Sequence, residues 1–174
     1  MAFSELKTAK FFTLSPDSMC TEFLLKHEYP WQALPEIGKF ILALQHNLPQ
    51  DQFYQYAPGV YLAKSVKLFS YVTLLAPTII CENVEIRPGA FIRGNVFVGP
   101  GSVVGNSTEL KNSIFINNVQ APHYNYIGDS ILGSGTHFGA GVITSNLRAD
   151  GADILVRTEA GDIATHLRKF GAIA

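Results

Sequence analysis

Aliphatic residues recur along this chain at one fixed spacing of six: Leu62, Leu68, Leu74, Ile80, Ile86, Ile92, Val98, Val104, Leu110 and Ile116. A six-residue period matches neither the 3.6 of a helix nor the 2.0 of a flat strand. It matches a parallel β-helix of hexapeptides, each a short strand ending in a corner. Smaller or β-branched residues four places later reinforce the pattern: Val66, Val72, Thr78, Val84, Ala90, Val96, Ser102, Thr108 and Ile114. One large and one smaller residue per hexapeptide can point into a narrow prism. Three hexapeptides close one triangular coil, so Leu68, Ile86 and Val104 should stack in one column. Turn-forming residues fall at the expected corners: Glu82-Asn83, Arg87-Pro88-Gly89, Gly94-Asn95, Gly99-Pro100-Gly101 and Gly105-Asn106.

The phase breaks after Ile116, where the next step reaches Pro122, and resumes at Ile127, Leu132 and Phe138. Asn117–Tyr126 is therefore expected to be where the regular wall deforms, and loops interrupting a rigid repeat are where function concentrates. Residues 1–58 lie outside the repeat and predict a short α-helical N-terminal region. Ser15-Pro16-Asp17 reads as one helix start, with Ser as N-cap. Pro35 opens a second helix, whose stripe Ile37, Phe40, Ile41, Leu44 and Leu48 is expected to cap an open end of the stack. Beyond the prism, Ile154-Leu155-Val156 and Ile163-Ala164-Thr165 flank Glu159-Ala160-Gly161-Asp162 and read as a projecting hairpin. Phe170-Gly171-Ala172-Ile173 looks like the start of a further hexapeptide, a coil left unfinished or completed by something else. The expected organisation is a helical cap over 1–58, a β-helix over 59–147, and the hairpin with the start of another coil over 148–174.

Composition narrows the function classes. Of 174 residues, 47% are hydrophobic, and the formal charge is −1. Without a basic surplus, neither nucleic acid nor an anionic membrane is an expected partner. The N-terminus lacks a basic-then-apolar signal pattern, and no apolar run reaches bilayer length. The two cysteines, Cys20 and Cys81, form no motif and read as free thiols. The chain reads as soluble and cytoplasmic.

The richest polar cluster is Lys111, His123, Asn125, Tyr126, Asp129, His137 and Asn146. His27, His46 and His166 read as surface or hydrogen-bonded residues. His123 follows a proline inside the segment that interrupts the repeat, and imidazole is the usual general base at neutral pH.

Three segments carry a resemblance: Gly105-Asn106-Ser107-Thr108-Glu109-Leu110-Lys111, His123-Tyr124-Asn125-Tyr126-Ile127-Gly128-Asp129, and Phe138-Gly139-Ala140-Gly141-Val142-Ile143-Thr144-Ser145-Asn146. Together with Arg87-Pro88-Gly89-Ala90 upstream, they are similar to the C-terminal acetyltransferase domain of the bifunctional glucosamine-1-phosphate acetyltransferase/N-acetylglucosamine-1-phosphate uridyltransferase. The resemblance implies a left-handed parallel β-helix that assembles as a homotrimer, with acetyl-CoA or another acyl-CoA as co-substrate and no metal. It implies His123 as catalytic base, taking a proton from a sugar amine that attacks the thioester. Arg87 and Lys111 would hold a sugar phosphate or nucleotide sugar, Tyr126 and Asn146 would contact the sugar, and Ala140 would meet acyl-CoA. His137 belongs to the same pocket but stands where the family has asparagine, and Leu147 stands where it has tyrosine; both departures bear on the acceptor. No nucleotidyl-transfer domain precedes the repeat, so uridyl transfer by this chain is not expected. Two other readings remain beside the acyltransferase. One is a non-catalytic sugar-phosphate-binding or scaffold module. The other is a zinc hydrolyase of the γ-carbonic anhydrase type, which would need three converging histidines.

Overall fold

The computed structural model describes residues 3–174, and a parallel β-helix is its centre. Short helices come first: α1 (Thr8–Phe11), α2 (Thr21–Leu25), a 3₁₀ helix over Pro30–Glu36, and α3 (Ile37–Gln45). Strand β1 (Phe53–Ala57) pairs antiparallel with β2 (Val60–Ala63) and leads into the solenoid. The first coil is completed by β3 (Lys67–Leu68) and β4 (Thr73–Leu74), and the second by β5 (Thr78–Ile80), β6 (Glu85–Ile86) and β7 (Phe91–Ile92). Then come β8 (Val96–Val98), β9 (Val103–Asn106), β10 (Glu109–Phe115), β11 (Gln120–His123) and β12 (Tyr126–Leu132). Both β10 and β12 run through a corner, so each serves two faces.

The predicted columns are present. Leu68 pairs with Ile86, Ile86 with Val104, and Val104 with Ala121, all in parallel register. Leu62, Ile80, Val98 and Phe115 stack on a second face; Leu74, Ile92, Leu110 and Ile127 stack on the third. From Ile80 to Leu110 every residue at the six-residue spacing is fully buried. Leu68 and Leu74, in the first coil, are only partly covered.

The phase break lies earlier than the sequence suggested. Leu110 pairs with Ile92, 18 residues back, but Ser113 pairs with Val96 and Phe115 with Val98, 17 back. The lost residue is at one corner: Arg93-Gly94-Asn95 turns the chain in the second coil, Lys111-Asn112 turns it in the third, and Gly128-Asp129 repeats the shorter turn above. Phe115, not Ile116, therefore fills the prism. Ile116 packs outside, in the helix-facing cluster. Likewise Ser113 takes the small inward position and Ile114 points outward. The segment expected to deform is regular, with Gln120, Ala121 and His123 in register with Val103, Val104 and Asn106. An aliphatic residue at 116 hid the slip from a periodicity count.

The helices cover a side face rather than an end. Ile79, Phe97, Ile114 and Ile131 stand on successive rungs of one face and join a buried cluster with Trp31, Leu34, Ile37 and Ile41. The stripe of α3 is the matching surface, with Ile37 and Ile41 fully buried and Phe40, Leu44 and Leu48 packed around them. Apolar residues at i, i+3, i+4 and i+7 make this stripe. Ser15 caps no helix: its hydroxyl accepts the Asp17 N–H, its carbonyl accepts the Thr21 hydroxyl at 2.6 Å, and the helix begins at Thr21.

The final segment leaves the prism and returns. Strands β13 (Leu155–Thr158) and β14 (Gly161–Ala164) form a hairpin around Glu159-Ala160. It does not project freely, because Val156 and Ile163 pack on the helical cluster. Leu147 bridges Lys169 antiparallel, closing the excursion. Ile173 then pairs with Ile131, placing Phe170–Ala174 on the next rung of the helix-covered face.

Candidate functional site

Three corner columns determine where polar side chains go. Each turns on residues with positive φ: Asn83, Gly101, Asn118 and Gly135 at one corner, Tyr71, Gly89, Ser107, Tyr124 and Gly141 at the second, Asn95, Asn112 and Asp129 at the third. Asn and Asp tolerate this conformation better than other non-glycine residues. The third corner is the shortened one, and the most organised polar cluster is built on it.

Asp129 is the centre of that cluster and is 5% exposed. Its carboxylate accepts the Asn112 amide from the rung below at 2.9 Å and the Asn146 amide from the rung above at 2.5 Å. The Lys111 ammonium lies 3.9 Å away. The Asn112 amide also donates to the Leu34 carbonyl at 3.2 Å, tying the corner to the 3₁₀ helix. The Asn146 amide also reaches the Tyr126 hydroxyl at 3.3 Å. A buried carboxylate is retained when it is hydrogen-bonded and has a cation nearby. Lys111, Tyr126 and Asn146, three of the predicted site residues, are thus brought together around Asp129.

The other predicted residues lie on the neighbouring face or its edge. Arg87 is a partly exposed side chain engaged by Glu85 at 2.6 Å. His123 is exposed at the end of β11, its backbone N–H donating to the Asn125 side chain at 3.3 Å. His137 is exposed on the next rung, bridging Gln120 through its backbone. Gly141 donates to the His123 carbonyl at 3.1 Å, which sets exposed Ala140 just above that histidine. Asn125 turns inward, donating to the carbonyls of Gly139 and Val142, and so ties the corner at His123 to the one above it. Within one protomer, then, the basic and imidazole groups divide between two faces. Among the described residues, no group of three or more His, Cys, Asp or Glu is placed to hold a metal ion. No helix there is long and apolar enough to cross a membrane.

A cleft of about 450 Å³ opens beside Asp129, lined by Leu34, Pro35, Asn112, Asp129, Leu147, Leu167, Arg168 and Lys169. The sequence pointed to Asp129 but missed Asn112, Arg168 and Lys169. Aligning the coils with a 17-residue step would have put Asn112 and Asp129 in one corner column. The two basic residues carry no local signal, because tertiary return of the chain brings them in.

Residues 74–161 match the family described as GMPPB C-terminal domain. Among curated relatives, the bifunctional protein GlmU of Methanococcus vannielii is 43% identical over 88 residues, 51% of this chain and 21% of that protein. GlmU of Zymomonas mobilis is 36% identical over 112 residues, 62% of this chain and 24% of that protein. The bifunctional sugar-1-phosphate nucleotidylyltransferase/acetyltransferase of Sulfurisphaera tokodaii is 32% identical over 85 residues, 49% of this chain and 21% of that protein. The chain spans about a fifth to a quarter of the length of these relatives. The acetyltransferase domain of PglB from Neisseria gonorrhoeae aligns with 14% identity and a TM-score of 0.33, over 71% of this chain and 68% of that one, too distant to bear on function.

Proposed function

Because the chain belongs to the family of the GMPPB C-terminal domain, its match covering residues 74–161, we propose that it is an acyl-CoA-dependent acyltransferase acting on an amino-sugar phosphate or nucleotide sugar. The observation that carries this reading is the cluster of Lys111, Tyr126 and Asn146 on Asp129, a preorganised polar floor beside a cleft. Lys111 anchors the acceptor phosphate. Tyr126 offers a hydroxyl to the sugar, and Asn146, its amide N–H groups spent on Asp129 and Tyr126, offers its side-chain oxygen. His123 is the general base: exposed, on a corner that Asn125 ties to the one above, it takes the proton from the acceptor amine as the nitrogen attacks the thioester carbonyl. The nitrogen–carbon bond forms, the carbon–sulfur bond breaks, and the CoA thiolate leaves. Ala140, on the rung above, lies where the thioester would approach.

The division of these groups between two faces has a direct consequence. His123, His137 and Arg87 of one protomer need a neighbour's Lys111 face to form a complete cleft, so the active species in this reading is a homotrimer. Parallel packing of prisms about a closed three-fold axis supplies such clefts. A second reading is a binding module without catalysis, favoured by the Arg87–Glu85 pair, which a phosphate must displace before Arg87 can hold it.

The test is acyl-CoA-dependent modification of a panel of amino-sugar phosphates and nucleotide amino sugars. General-base assistance is worth about 10² to 10⁴ in rate. His123→Ala is expected to lower kcat by at least about a hundredfold with KM for the acceptor little changed. Lys111→Ala is expected mainly to raise KM. If no member of the panel reacts and His123→Ala changes nothing measurable, the binding-module reading replaces the enzyme.

A further inference from the structure

The cleft beside Asp129 is not accounted for by a sugar phosphate alone. Its floor is the Asp129 carboxylate and the Asn112 side chain. Asn112 spends its amide N–H groups on Leu34 and Asp129, so the side-chain oxygens facing a ligand are acceptors only. Acceptors of this kind bind hydroxyl or imide donors, such as a ribose diol or a pyrimidine or purine edge. The walls, Leu34, Pro35, Leu147 and Leu167, are apolar. They suit the flat face of a planar ring, which a hexose phosphate alone lacks. At the rim stand Arg168 and Lys169, neither in an ion pair among the described residues. Without carboxylate partners, the two rim cations are free to meet phosphate oxygens. A volume of about 450 Å³ is within the usual range for small-molecule sites.

We propose that this cleft is a subsite for the nucleoside diphosphate half of a nucleotide sugar, built by the excursion over residues 147–169 against the 3₁₀ helix. The Asn146–Asp129 hydrogen bond makes its floor continuous with the Lys111–Tyr126–Asn146 cluster. The sugar then extends toward Tyr126, while the base lies between Leu34 and Leu167 and the diphosphate under Arg168 and Lys169. The acceptor assignment rests on the acyltransferase reading; nucleotide binding does not.

Calorimetric titration of the full chain, without acyl-CoA, tests this with UDP-glucose, GDP-glucose, glucose 1-phosphate and inorganic phosphate. At least one nucleotide sugar is expected to bind about tenfold or more tighter than glucose 1-phosphate. The double variant Arg168→Ser, Lys169→Ser should weaken that nucleotide sugar about tenfold or more and leave glucose 1-phosphate unchanged. Lys111→Ala should weaken both. Retained thermal unfolding of each variant separates lost binding from lost fold, and Leu147→Asp, an exposed wall position, supplies a second variant that should also weaken only the nucleotide sugar. Equal affinity for nucleotide sugars and glucose 1-phosphate, or equal weakening of both by the double variant, overturns the subsite. So does inorganic phosphate binding as tightly as either nucleotide sugar. Nucleotide sugar binding without any acyl transfer overturns the enzyme reading and leaves the subsite standing.

Discussion

Single residues in this chain are constrained by how closely one coil lies on the next. A Cβ on Gly99 would overlap the Ile116 carbonyl, and one on Gly105 would overlap that of Pro122. Gly139, two rungs higher in the Gly105 column, has open space around its Cβ direction and no positive φ. Gly99→Ala is therefore expected to destabilise the fold by at least about 2 kcal/mol, the scale of forced overpacking. Gly139→Ala should change stability by less than about 0.5 kcal/mol. Thermal or urea unfolding of both variants measures the contrast, and equal effects would mean that coil spacing does not constrain these positions. The cysteines show another constraint. Burial pushes the Cys20 thiol up to about 11 and raises Cys81 well above its usual value. Thiolate is the reactive form, so a raised pKa removes it at neutral pH. Neither cysteine should react with a disulfide reagent at pH 8 until denaturant is added; prompt reaction in the native protein would contradict their burial.

Elements carry a different kind of information. The inward columns were legible because every third hexapeptide repeats the same environment. The helices were expected over an end of the stack instead of this side face, although the outward positions carry a signal for it that the six-residue count ignores. Outward positions on that face read Tyr61, Ile79 and Phe97, whereas the next face reads Lys67, Glu85 and Val103. Only a face that is covered can afford three large apolar residues pointing out. Of the candidate site, the proximity of Lys111, Tyr126 and Asn146 was legible, but Asp129 organises them, and the shortened corner that places it was masked by Ile116. The hairpin strands could be read from their own pattern, yet their docking on the helices depends on contacts between distant segments that no local period encodes. Phe97 tests the covered face, since its ring lies 5.8 Å from that of Phe40 and is fully buried. Phe97→Ala should cost about 3–5 kcal/mol. Hydrogen exchange should show Ile37–Gln45 losing protection before the prism strands do. Loss of protection in the prism first would mean that the helices are held by something other than this ladder.

At the scale of the whole molecule, one face of the triangle is closed by helices and two remain open. Their shared corner presents Tyr71, 90% exposed, and Tyr124, 64% exposed, with Ile143, 68% exposed, nearby. Both tyrosines sit at positive φ, in a column whose other members are Gly89, Ser107 and Gly141. A bulky side chain in that conformation costs about 1 kcal/mol or more relative to glycine. In the proposed assembly, an exposed aromatic that strains its own backbone would be repaid by contact with another surface. In the homotrimer proposed above, that corner is where prisms meet, beside His123. The double variant Tyr71→Gly, Tyr124→Gly separates the two contributions. Relieved of strain, it should unfold no earlier than the parent chain when both are compared as protomers. In light scattering the parent should give three times the 19.0 kDa protomer mass, and the variant should give one. Acyl transfer should fall with the loss of assembly, because His123 would then lack a neighbour's Lys111 face. A parent protein that is a monodisperse monomer, or a glycine variant that stays trimeric and fully active, would remove the shared cleft and require the chemistry to fit within a single prism.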